Sequence, residues 1–337
     1  MKSGSSREDV SRVRDVIQGL GFESQPLPVA ERLAVRVSGY AREPSRELFE
    51  TLPGVDLVLP VSQAVHKVAR HAQPGDTVLR FGSHVVGGGG LTLVAGPCAV
   101  ESEEQILAVA REVQQAGAHM LRGGAYKPRT SPYEFQGLGE EGLKLLALAR
   151  RETGLPVITE AVDEASAELA EEYADVIQIG ARNMQNFALL KRAGRSRLPV
   201  LLKRGMSASL EDLMLSAEYL LDAGNSEVIL CERGIRSFSN HSRFTLDLSI
   251  VPVLKQMTHL PIFVDPSHAS GNRQSVAPLA RASMVAGADG VMIEVHPDPI
   301  HALCDGPQSL RPAEFAALAA SLRALVPVLA EQRETVP

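Results

Sequence analysis

The strongest constraint on the fold is a series of eight short apolar segments that begins at Leu91, each followed by an amphipathic helical stretch. Apolar residues that run without interruption are typical of strands buried on both faces, as in parallel sheets covered by helices. Eight strand and helix pairs in succession predict a closed (β/α)8 TIM barrel rather than an open sheet. The predicted strands are residues 91–98, 119–124, 156–161, 176–180, 199–205, 227–234, 261–268 and 290–296.

The first 70 residues have a different pattern, that of a small α+β module. The order of its predicted elements resembles part of a ferredoxin-like βαββαβ unit. The first strand of such a unit is missing from the pattern, because the polar start MKSGSSRED leads directly into a helix. The predicted elements are a helix at 6–20, a strand at 32–38, a helix at 44–52 and a strand at 55–61.

These patterns predict three parts in the chain: a ferredoxin-like module at 1–70, a connector with a hairpin at 71–90 and a barrel at 91–337. A length of 337 residues suits a barrel of about 250 residues with an appendage. We expect the hairpin to turn at Phe81-Gly82-Ser83.

Charge and cysteine content restrict the classes of partner. The net charge of −6 provides no broad basic surface for nucleic acid or anionic lipid. Three cysteines, without an apolar leader, favour a reducing compartment over a disulfide scaffold. No window reaches the ~18 unbroken apolar residues of a membrane span. We therefore expect a cytoplasmic protein that binds neither nucleic acid nor membrane.

Polar residues end nearly every predicted strand of the barrel. The carboxyl ends of all eight strands share one face of a barrel, and that face carries the active site. The pattern therefore predicts a polar site assembled from most of the strands. The residues in question are Cys98, Arg122, Glu160, Arg182, Lys203, Arg204, Glu232, Arg233, His268 and Glu294.

Four of the polar residues near the strand ends form a candidate metal site. Cys98, His268 and Glu294 end the first, seventh and eighth predicted strands, and Asp305 follows the eighth. These strands are neighbours in a closed barrel, so their ends can meet at one point. A thiolate, an imidazole and two carboxylates suit Mn²⁺, Fe²⁺, Co²⁺ or Zn²⁺. The alternative is that Cys98 is a small buried apolar residue and His268 a core histidine.

Six cationic side chains form a candidate anion site on the same face. Their charge exceeds what Glu160 and Glu232 can neutralise, which predicts a site for phosphates and a carboxylate. Solvated surface is the alternative, and it suits Arg129 best, because that residue lies in a loop. The six residues are Arg122, Lys127, Arg129, Arg182, Lys203 and Arg233.

Eight segments of residues 75–325 resemble the 3-deoxy-D-arabino-heptulosonate 7-phosphate (DAHP) synthases, and among these the type I-beta branch. The segments are AGPCAVES (95–102), LRGGAYKPRTSPYEFQGLG (121–139), TEA (159–161), IGARNMQN (179–186), LLKRGM (201–206), LCERGIRSF (230–238), VDPSHASG (264–271) and EVHPDP (294–299). The resemblance implies a metal-dependent condensation of phosphoenolpyruvate with erythrose 4-phosphate, the first step of the shikimate pathway.

The resemblance also implies roles for individual residues. Cys98, His268, Glu294 and Asp305 match the family's metal ligands. The matches to its phosphoenolpyruvate contacts are Arg122, Lys127, Arg182, Lys203 and Arg233, with Glu160 and Ala181 lining the pocket. The matches to its erythrose 4-phosphate contacts are Lys127, Pro128, Arg129 and Thr130, and we add Asp265. Lys127 is the expected general acid, and either Glu160 or a metal-bound water activates the attacking water.

A sister family, the 3-deoxy-D-manno-octulosonate 8-phosphate synthases, shares the barrel but uses arabinose 5-phosphate. Its substrate loop typically has Asn after the lysine, where this chain has Pro128-Arg129-Thr130. The KPRT sequence therefore favours erythrose 4-phosphate. In the type I-beta branch the N-terminal module often mediates feedback inhibition, so tyrosine or phenylalanine is a candidate effector. We expect a homodimer or a homotetramer.

Cys304 directly precedes the candidate ligand Asp305, and Cys98 is itself a candidate ligand. If both ligands contact one ion, the two cysteines lie close together. A disulfide between them in the metal-free protein then requires Cα atoms within ~7 Å. The alternative is that the position of Cys304 is incidental.

Overall fold

The computed structural model describes residues 1–2, 4–29, 32–38, 45–58, 65–129 and 131–335. The chain divides into two compact units. The first comprises Met1–Gly75 with Met257–His259, and the second comprises Asp76–Gln256 with Leu260–Pro337.

Within its described residues, the first unit contains two helices and an antiparallel pair of strands. Its elements are α1 (Arg7–Gly19), β1 (Glu23–Val29), β2 (Arg32–Ser38) and α2 (Arg46–Glu50). Ser6 and Asp9 form a capping box that starts α1. Val13 and Ile17 of α1 pack with Phe49 of α2 as a small core.

The first unit differs from the prediction in two places. Strand β1 was not expected, because Pro26 and Pro28 interrupt any strand pattern there. Among the described residues, β1 and β2 form a two-stranded sheet, and proline is tolerated on such edge strands. The predicted strand at 55–61 is wrong over residues 55–58, which have no strand structure, and residues 59–61 lie outside the described part of the chain.

The second unit begins with the predicted hairpin, formed by β3 (Leu79–Phe81) and β4 (His84–Val86). Gly82 occupies the turn with a φ of +59°, a conformation that glycine adopts without strain. Leu79 and Val86 are buried in one cluster with Val94, Phe263 and Met292 from the barrel strands. The hairpin therefore adds its apolar side chains to the barrel's inner core.

Eight parallel strands form a closed barrel, which confirms the predicted fold. Each strand pairs with the next along the chain, and the last pairs with the first. The strands are β5 (Thr92–Gly96), β6 (Met120–Arg122), β7 (Val157–Ala161), β8 (Val176–Ile179), β9 (Val200–Lys203), β10 (Val228–Glu232), β11 (Ile262–Val264) and β12 (Gly290–Glu294). The helices are α3 (Glu103–Gln115), α4 (Glu140–Thr153), α5 (Glu164–Tyr173), α6 (Phe187–Ala193), α7 (Leu210–Asp222), α8 (Ile250–Met257), α9 (Pro266–Ser270), α10 (Arg273–Val285) and α11 (Pro312–Thr335).

The continuous apolar character of the strands follows from burial on both of their faces. Along β5, Val94 belongs to the cluster inside the barrel, whereas its neighbours Leu93 and Ala95 belong to the layer between strands and helices. Successive strand residues point to opposite faces, so both sets must be apolar. The two layers together fix the direction in which each strand end presents its polar residue.

Residues Pro312–Ala330 of α11 are long and apolar enough to cross a membrane by length and composition. Phe315, Leu318 and Leu322, spaced by three and four residues, are buried against the barrel. This spacing is that of an amphipathic helix packed on a core. We therefore interpret α11 as the last outer helix of the barrel.

Two stacked histidines lie near the start of β5. The rings of His84 and His119 have centroids 4.1 Å apart and planes 9° from parallel. His119 Nδ1 accepts a hydrogen bond of 2.9 Å from the backbone N–H of Leu93. Burial, together with His84 and Arg323, lowers the pKa of His119 to about 4. The folded state thus favours the neutral ring.

We predict that His119 reduces stability in acid. Because its folded pKa lies below the unfolded value of about 6.5, its contribution to stability is present above that pH and is lost as the pH falls towards 4. His119→Asn keeps an acceptor for Leu93 and cannot titrate. Thermal unfolding between pH 7 and pH 4 should show a smaller decrease in Tm for this variant than for the wild type. The exposed His66→Asn is the control, and equal pH slopes for His119→Asn and wild type would contradict the prediction.

Candidate active site

Six polar residues of the site occupy positions that the strand period assigns to the barrel interior. Each lies two residues beyond an apolar residue of the inner core, so both point to the same face. The pairs are Met120 with Arg122, Ile158 with Glu160, Leu201 with Lys203, Cys231 with Arg233, Phe263 with Asp265 and Met292 with Glu294. At the carboxyl ends of six strands, the residues that face the barrel interior therefore change from apolar to charged.

Cys98, His268, Glu294 and Asp305 come together at this end of the barrel. One potential ligand atom from each lies within 4.8 Å of all the others. His268 Nε2 is 3.1 Å from Glu294 Oε1 and 3.6 Å from Asp305 Oδ2. Cys98 Sγ is 3.4 Å from Asp305 Oδ2. The donor set fits a divalent transition metal, because sulfur, imidazole nitrogen and carboxylate oxygens are ligands that such ions bind, and the four atoms lie close enough to share one ion.

Asp305 has an unusual backbone conformation. Its φ of 52° is the only positive value among the non-glycine residues that the structure describes. Aspartate tolerates this left-handed region better than most residues do. Arg243 Nη1 lies 3.2 Å from Asp305 Oδ1, and the same nitrogen donates to Gln308 Oε1 at 3.2 Å. The strained residue is thus held in place by a side chain from a different loop.

Buried polar partners orient the other candidate ligands. Asp265 Oδ2 lies 2.7 Å from His268 Nδ1, which leaves Nε2 directed at the cluster. Glu294 accepts hydrogen bonds from Arg122 Nη1 at 2.9 Å and from Gln308 Nε2 at 2.5 Å. Partners of this kind fix the tautomer of a ligating histidine and the orientation of a ligating carboxylate. Gln308 and Arg243 were not identified from the sequence, because no spacing places them beside the ligands.

The six candidate cations differ in burial and in partners. Arg122, Lys203 and Arg233 are nearly completely buried, whereas Arg182 is exposed and donates to the carbonyl of Pro128. Lys127 Nζ donates to the carbonyl of Cys98 at 3.1 Å, which places it beside the candidate metal cluster. Lys203 Nζ lies 2.5 Å from Asp265 Oδ2.

Two buried arginine nitrogens have no hydrogen-bond partner. Within the described residues, Arg122 Nε and Arg233 Nη1 are the only buried side-chain nitrogen or oxygen atoms in this state. Phe244 covers the guanidinium of Arg233 with its ring centroid 4.4 Å away, and burial lowers the pKa of Arg233. A buried donor without a partner costs about 1–3 kcal/mol, and more when it is charged. Such donors are typical of a site that an anion fills.

Two residues predicted to line the anion pocket lie at the carboxyl ends of strands β7 and β8. Glu160 is buried in β7, and Ala181 follows Gly180 at the end of β8. A Cβ atom at Gly180 would overlap Glu160 Oε1, so a larger residue there would require the Glu160 carboxylate to move. Gly180 thus leaves space for the present position of this carboxylate.

The loop with the sequence KPRT is described as far as Arg129, and Thr130 lies outside the described residues. Arg129 Nε donates to Glu134 Oε2 at 3.0 Å, and Arg129 Nη1 donates to Cys304 Sγ at 2.9 Å. The loop is therefore connected to the segment that carries Asp305.

Arg204 and Glu232, two other polar residues at strand ends, pair with each other away from the candidate metal cluster. Arg204 Nη1 lies 2.9 Å from Glu232 Oε2 and 3.0 Å from Asp247 Oδ2. Both residues are buried. Arg204 follows Lys203 and Glu232 precedes Arg233, so each points to the opposite face of the sheet from that neighbour. The pair connects β9 to β10 behind the two cations.

Cys98 and Cys304 are in contact. Their Sγ atoms lie 2.9 Å apart, and both side chains are buried beside Ala99 and Phe135. The proximity that the disulfide hypothesis requires is therefore present between the two sulfur atoms. Whether the bond forms stays a prediction.

We predict that metal-free protein treated with hydrogen peroxide forms a Cys98–Cys304 disulfide. Two thiols lose two electrons and two protons, and the peroxide is reduced to two waters. Inactivation should be reversed by thiol and metal, prevented by bound metal, and absent in Cys304→Ser. Cys231→Ser, which alters a cysteine in the barrel interior, should behave as the wild type. Equal sensitivity of Cys304→Ser would instead indicate direct oxidation of Cys98.

Comparison with known proteins identifies close relatives over nearly the whole chain. A curated phospho-2-dehydro-3-deoxyheptonate aldolase of Thermotoga maritima is 45% identical over 329 residues, which are 98% of this chain and 97% of the relative. The crystal structure of DAHP synthase from the same organism superimposes with a TM-score of 0.79 and covers 97% of this chain and 96% of its own.

The sister enzymes are more distant. A 2-dehydro-3-deoxyphosphooctonate aldolase of Syntrophotalea carbinolica is 35% identical over 238 residues, which are 65% of this chain and 85% of the relative. The family model that matches is the DAHP synthetase I family, over residues 70–329. This match spans all eight barrel strands and every candidate site residue, so the chain belongs to the DAHP synthetase I family.

Proposed function

We propose that this chain is a 3-deoxy-7-phosphoheptulonate synthase, a transferase that condenses phosphoenolpyruvate with erythrose 4-phosphate and releases phosphate. This is the first step of the shikimate pathway. The observation that carries the proposal is the pair of buried, unpartnered nitrogens of Arg122 and Arg233 at the mouth that also holds the four-residue metal cluster. The high identity to the Thermotoga maritima enzyme supports the same activity.

The buried cations are the proposed anchors for phosphoenolpyruvate. Its phosphate and carboxylate are both anionic, and each arginine offers a planar pair of donors that matches such groups. Arg122 Nε and Arg233 Nη1 would gain the partners that the protein does not supply. Lys127, Arg182 and Lys203 complete the set, and Glu160 and Ala181 line the pocket.

Cys98, His268, Glu294 and Asp305 are the proposed ligands of a divalent metal, with Mn²⁺, Fe²⁺, Co²⁺ and Zn²⁺ as candidates. When bound there, such an ion supplies Lewis-acid polarisation of the aldehyde group of the aldose. Arg122 and Gln308 hold the Glu294 carboxylate, so that the ligand set is arranged before the substrates bind.

The side chains around this point account for the remaining steps. Carbon 3 of phosphoenolpyruvate attacks the aldehyde carbon, and both reactants are held on one rigid face, which provides proximity. Lys127 lies beside Cys98 at the base of the KPRT loop, where its Nζ can donate a proton to the new alkoxide oxygen. Water adds at carbon 2, with Glu160 as the proposed group that activates it, and cleavage of the C–O bond releases phosphate.

Erythrose 4-phosphate should be the preferred aldose. Pro128, Arg129 and Thr130 are the proposed contacts for its phosphate. Arg129 donates a hydrogen bond to Cys304, the neighbour of Asp305, so its guanidinium lies close to the candidate metal cluster. Phosphate release from phosphoenolpyruvate should show a higher kcat/KM with erythrose 4-phosphate than with arabinose 5-phosphate. The reverse order would favour the function of the sister enzymes, of which one is 35% identical.

Activity should depend on the metal cluster. Removal of metal by chelation should abolish turnover, and added Mn²⁺ should restore it. His268→Ala and Glu294→Gln should fold but lose at least about 100-fold in kcat, since Lewis-acid activation contributes several kcal/mol. His301→Ala, an 81% exposed histidine on the loop after β12, is the matched control. Full activity in excess chelator after dialysis would refute the metal requirement.

Regulation and assembly are part of the same proposal. We assign residues 1–70 as the candidate module for feedback inhibition by tyrosine or phenylalanine, in a cytoplasmic homodimer or homotetramer. The intact protein should lose activity in millimolar tyrosine or phenylalanine. If it ignores both, the module has only a structural role.

A further inference from the structure

Asp265 joins the two halves of the site through a single atom. Its Oδ2 lies 2.5 Å from Lys203 Nζ and 2.7 Å from His268 Nδ1. Lys203 belongs to the proposed anion site, and His268 belongs to the proposed metal site. One carboxylate oxygen is therefore shared between a cation that meets phosphoenolpyruvate and an imidazole that meets the metal.

The environment of Asp265 restricts what it can do. Its side chain has no solvent exposure, and its other oxygen, Oδ1, accepts a 2.9 Å hydrogen bond from the backbone N–H of His268. Burial opposes the charge, but His268 and Lys203 hold the pKa of Asp265 well below its usual value. Direct contact with the aldose, which the sequence predicts, stays a prediction, and the three hydrogen bonds already use most of the acceptor sites of this buried carboxylate.

Sharing one oxygen makes the two halves interdependent. The positive charge of Lys203 attracts the electrons of the Asp265 carboxylate, and this weakens the hydrogen bond that the carboxylate accepts from His268 Nδ1. When an anion neutralises Lys203, the full negative charge acts on the imidazole and makes Nε2 a stronger donor to a metal. By reciprocity, a metal at His268 must strengthen anion binding at Lys203 by the same factor.

We propose that Asp265 is a positioning residue that couples phosphoenolpyruvate binding to metal binding, a role that rests on the proposed function. It acts through Lys203 and His268 and does not touch the substrates. The coupling favours the state in which both ligands are present, so the aldehyde is activated where its reaction partner is already bound.

The test is the affinity for Mn²⁺ with and without saturating phosphoenolpyruvate, measured from the electron paramagnetic resonance signal of free Mn²⁺. In the wild type, phosphoenolpyruvate should tighten Mn²⁺ binding at least about fivefold. Asp265→Asn keeps the size of the side chain and an oxygen for the backbone of α9, but it cannot accept from both donors. The Mn²⁺ affinity of this variant should decrease about 10- to 100-fold. The ratio of its Mn²⁺ affinities with and without phosphoenolpyruvate should approach one.

Asp163→Asn is the matched control, because Asp163 also caps a helix, α5, through a backbone N–H and is not one of the proposed site residues. It should behave as the wild type. If Asp265→Asn binds Mn²⁺ as Asp163→Asn does, Asp265 is only a helix cap. If its Mn²⁺ affinity decreases while the effect of phosphoenolpyruvate is unchanged, Asp265 orients His268 without coupling. Either result overturns the proposal.

A measurement on the unaltered chain covers the case in which Asp265→Asn does not fold. In metal-free protein labelled with ¹⁵N-histidine, phosphoenolpyruvate should move the Nδ1–H proton of His268 downfield, because its hydrogen bond to Asp265 becomes stronger. The signal is assigned by its loss in His268→Gln. A resonance that does not move while phosphoenolpyruvate binds overturns the coupling. A wild type that shows the coupling but releases no phosphate with erythrose 4-phosphate would overturn the proposed function and not this inference.

Discussion

The site depends on the pairing of the last barrel strand with the first. Gly290 to Glu294 of β12 pair in register with Thr92 to Gly96 of β5. This pairing brings Glu294 next to the segment that carries Cys98, and α9, which follows β11 on the other side of β12, contributes His268. Residues about two hundred positions apart in the chain become neighbours only because the sheet closes. In an open sheet, β5 and β12 would lie at opposite edges, and the metal cluster would not exist.

Closure of the barrel places charged side chains in buried positions, where loss of hydration raises their free energy. The pairs Arg122–Glu294 and Lys203–Asp265 are almost completely removed from water. Buried pairs of this kind rarely add stability, because desolvation offsets their attraction. In this barrel the two pairs hold the side chains of the proposed site in fixed positions. Each pair connects a proposed anion contact to a proposed metal ligand or to the residue that orients one, which would fix the proposed anion site relative to the proposed metal site.

Much of this arrangement can be predicted from the sequence, and the limits have physical causes. Strands buried on both faces appear in the sequence as continuous apolar runs. Because residues two apart point to the same face, the interior positions of Met120 and Met292 predict that Arg122 and Glu294 also face the interior. Strand β1 was missed because its prolines are acceptable only on an edge, which tertiary structure decides. Arg243 and Gln308 reach the ligands through loop conformations that no period encodes, and the resemblance to known synthases, not spacing, supplied the roles of the cations.

The central claim is that the buried cations and the four-residue cluster together form one site for an anion and a metal. A crystal structure of the protein with Mn²⁺ and phosphoenolpyruvate tests it most directly, with manganese located by anomalous scattering. We predict one strong anomalous peak bonded to Cys98, His268, Glu294 and Asp305, and phosphoenolpyruvate oxygens within hydrogen-bond distance of Arg122 Nε and Arg233 Nη1. A peak elsewhere, or phosphoenolpyruvate bound with both of these nitrogens still unpartnered, would contradict the account.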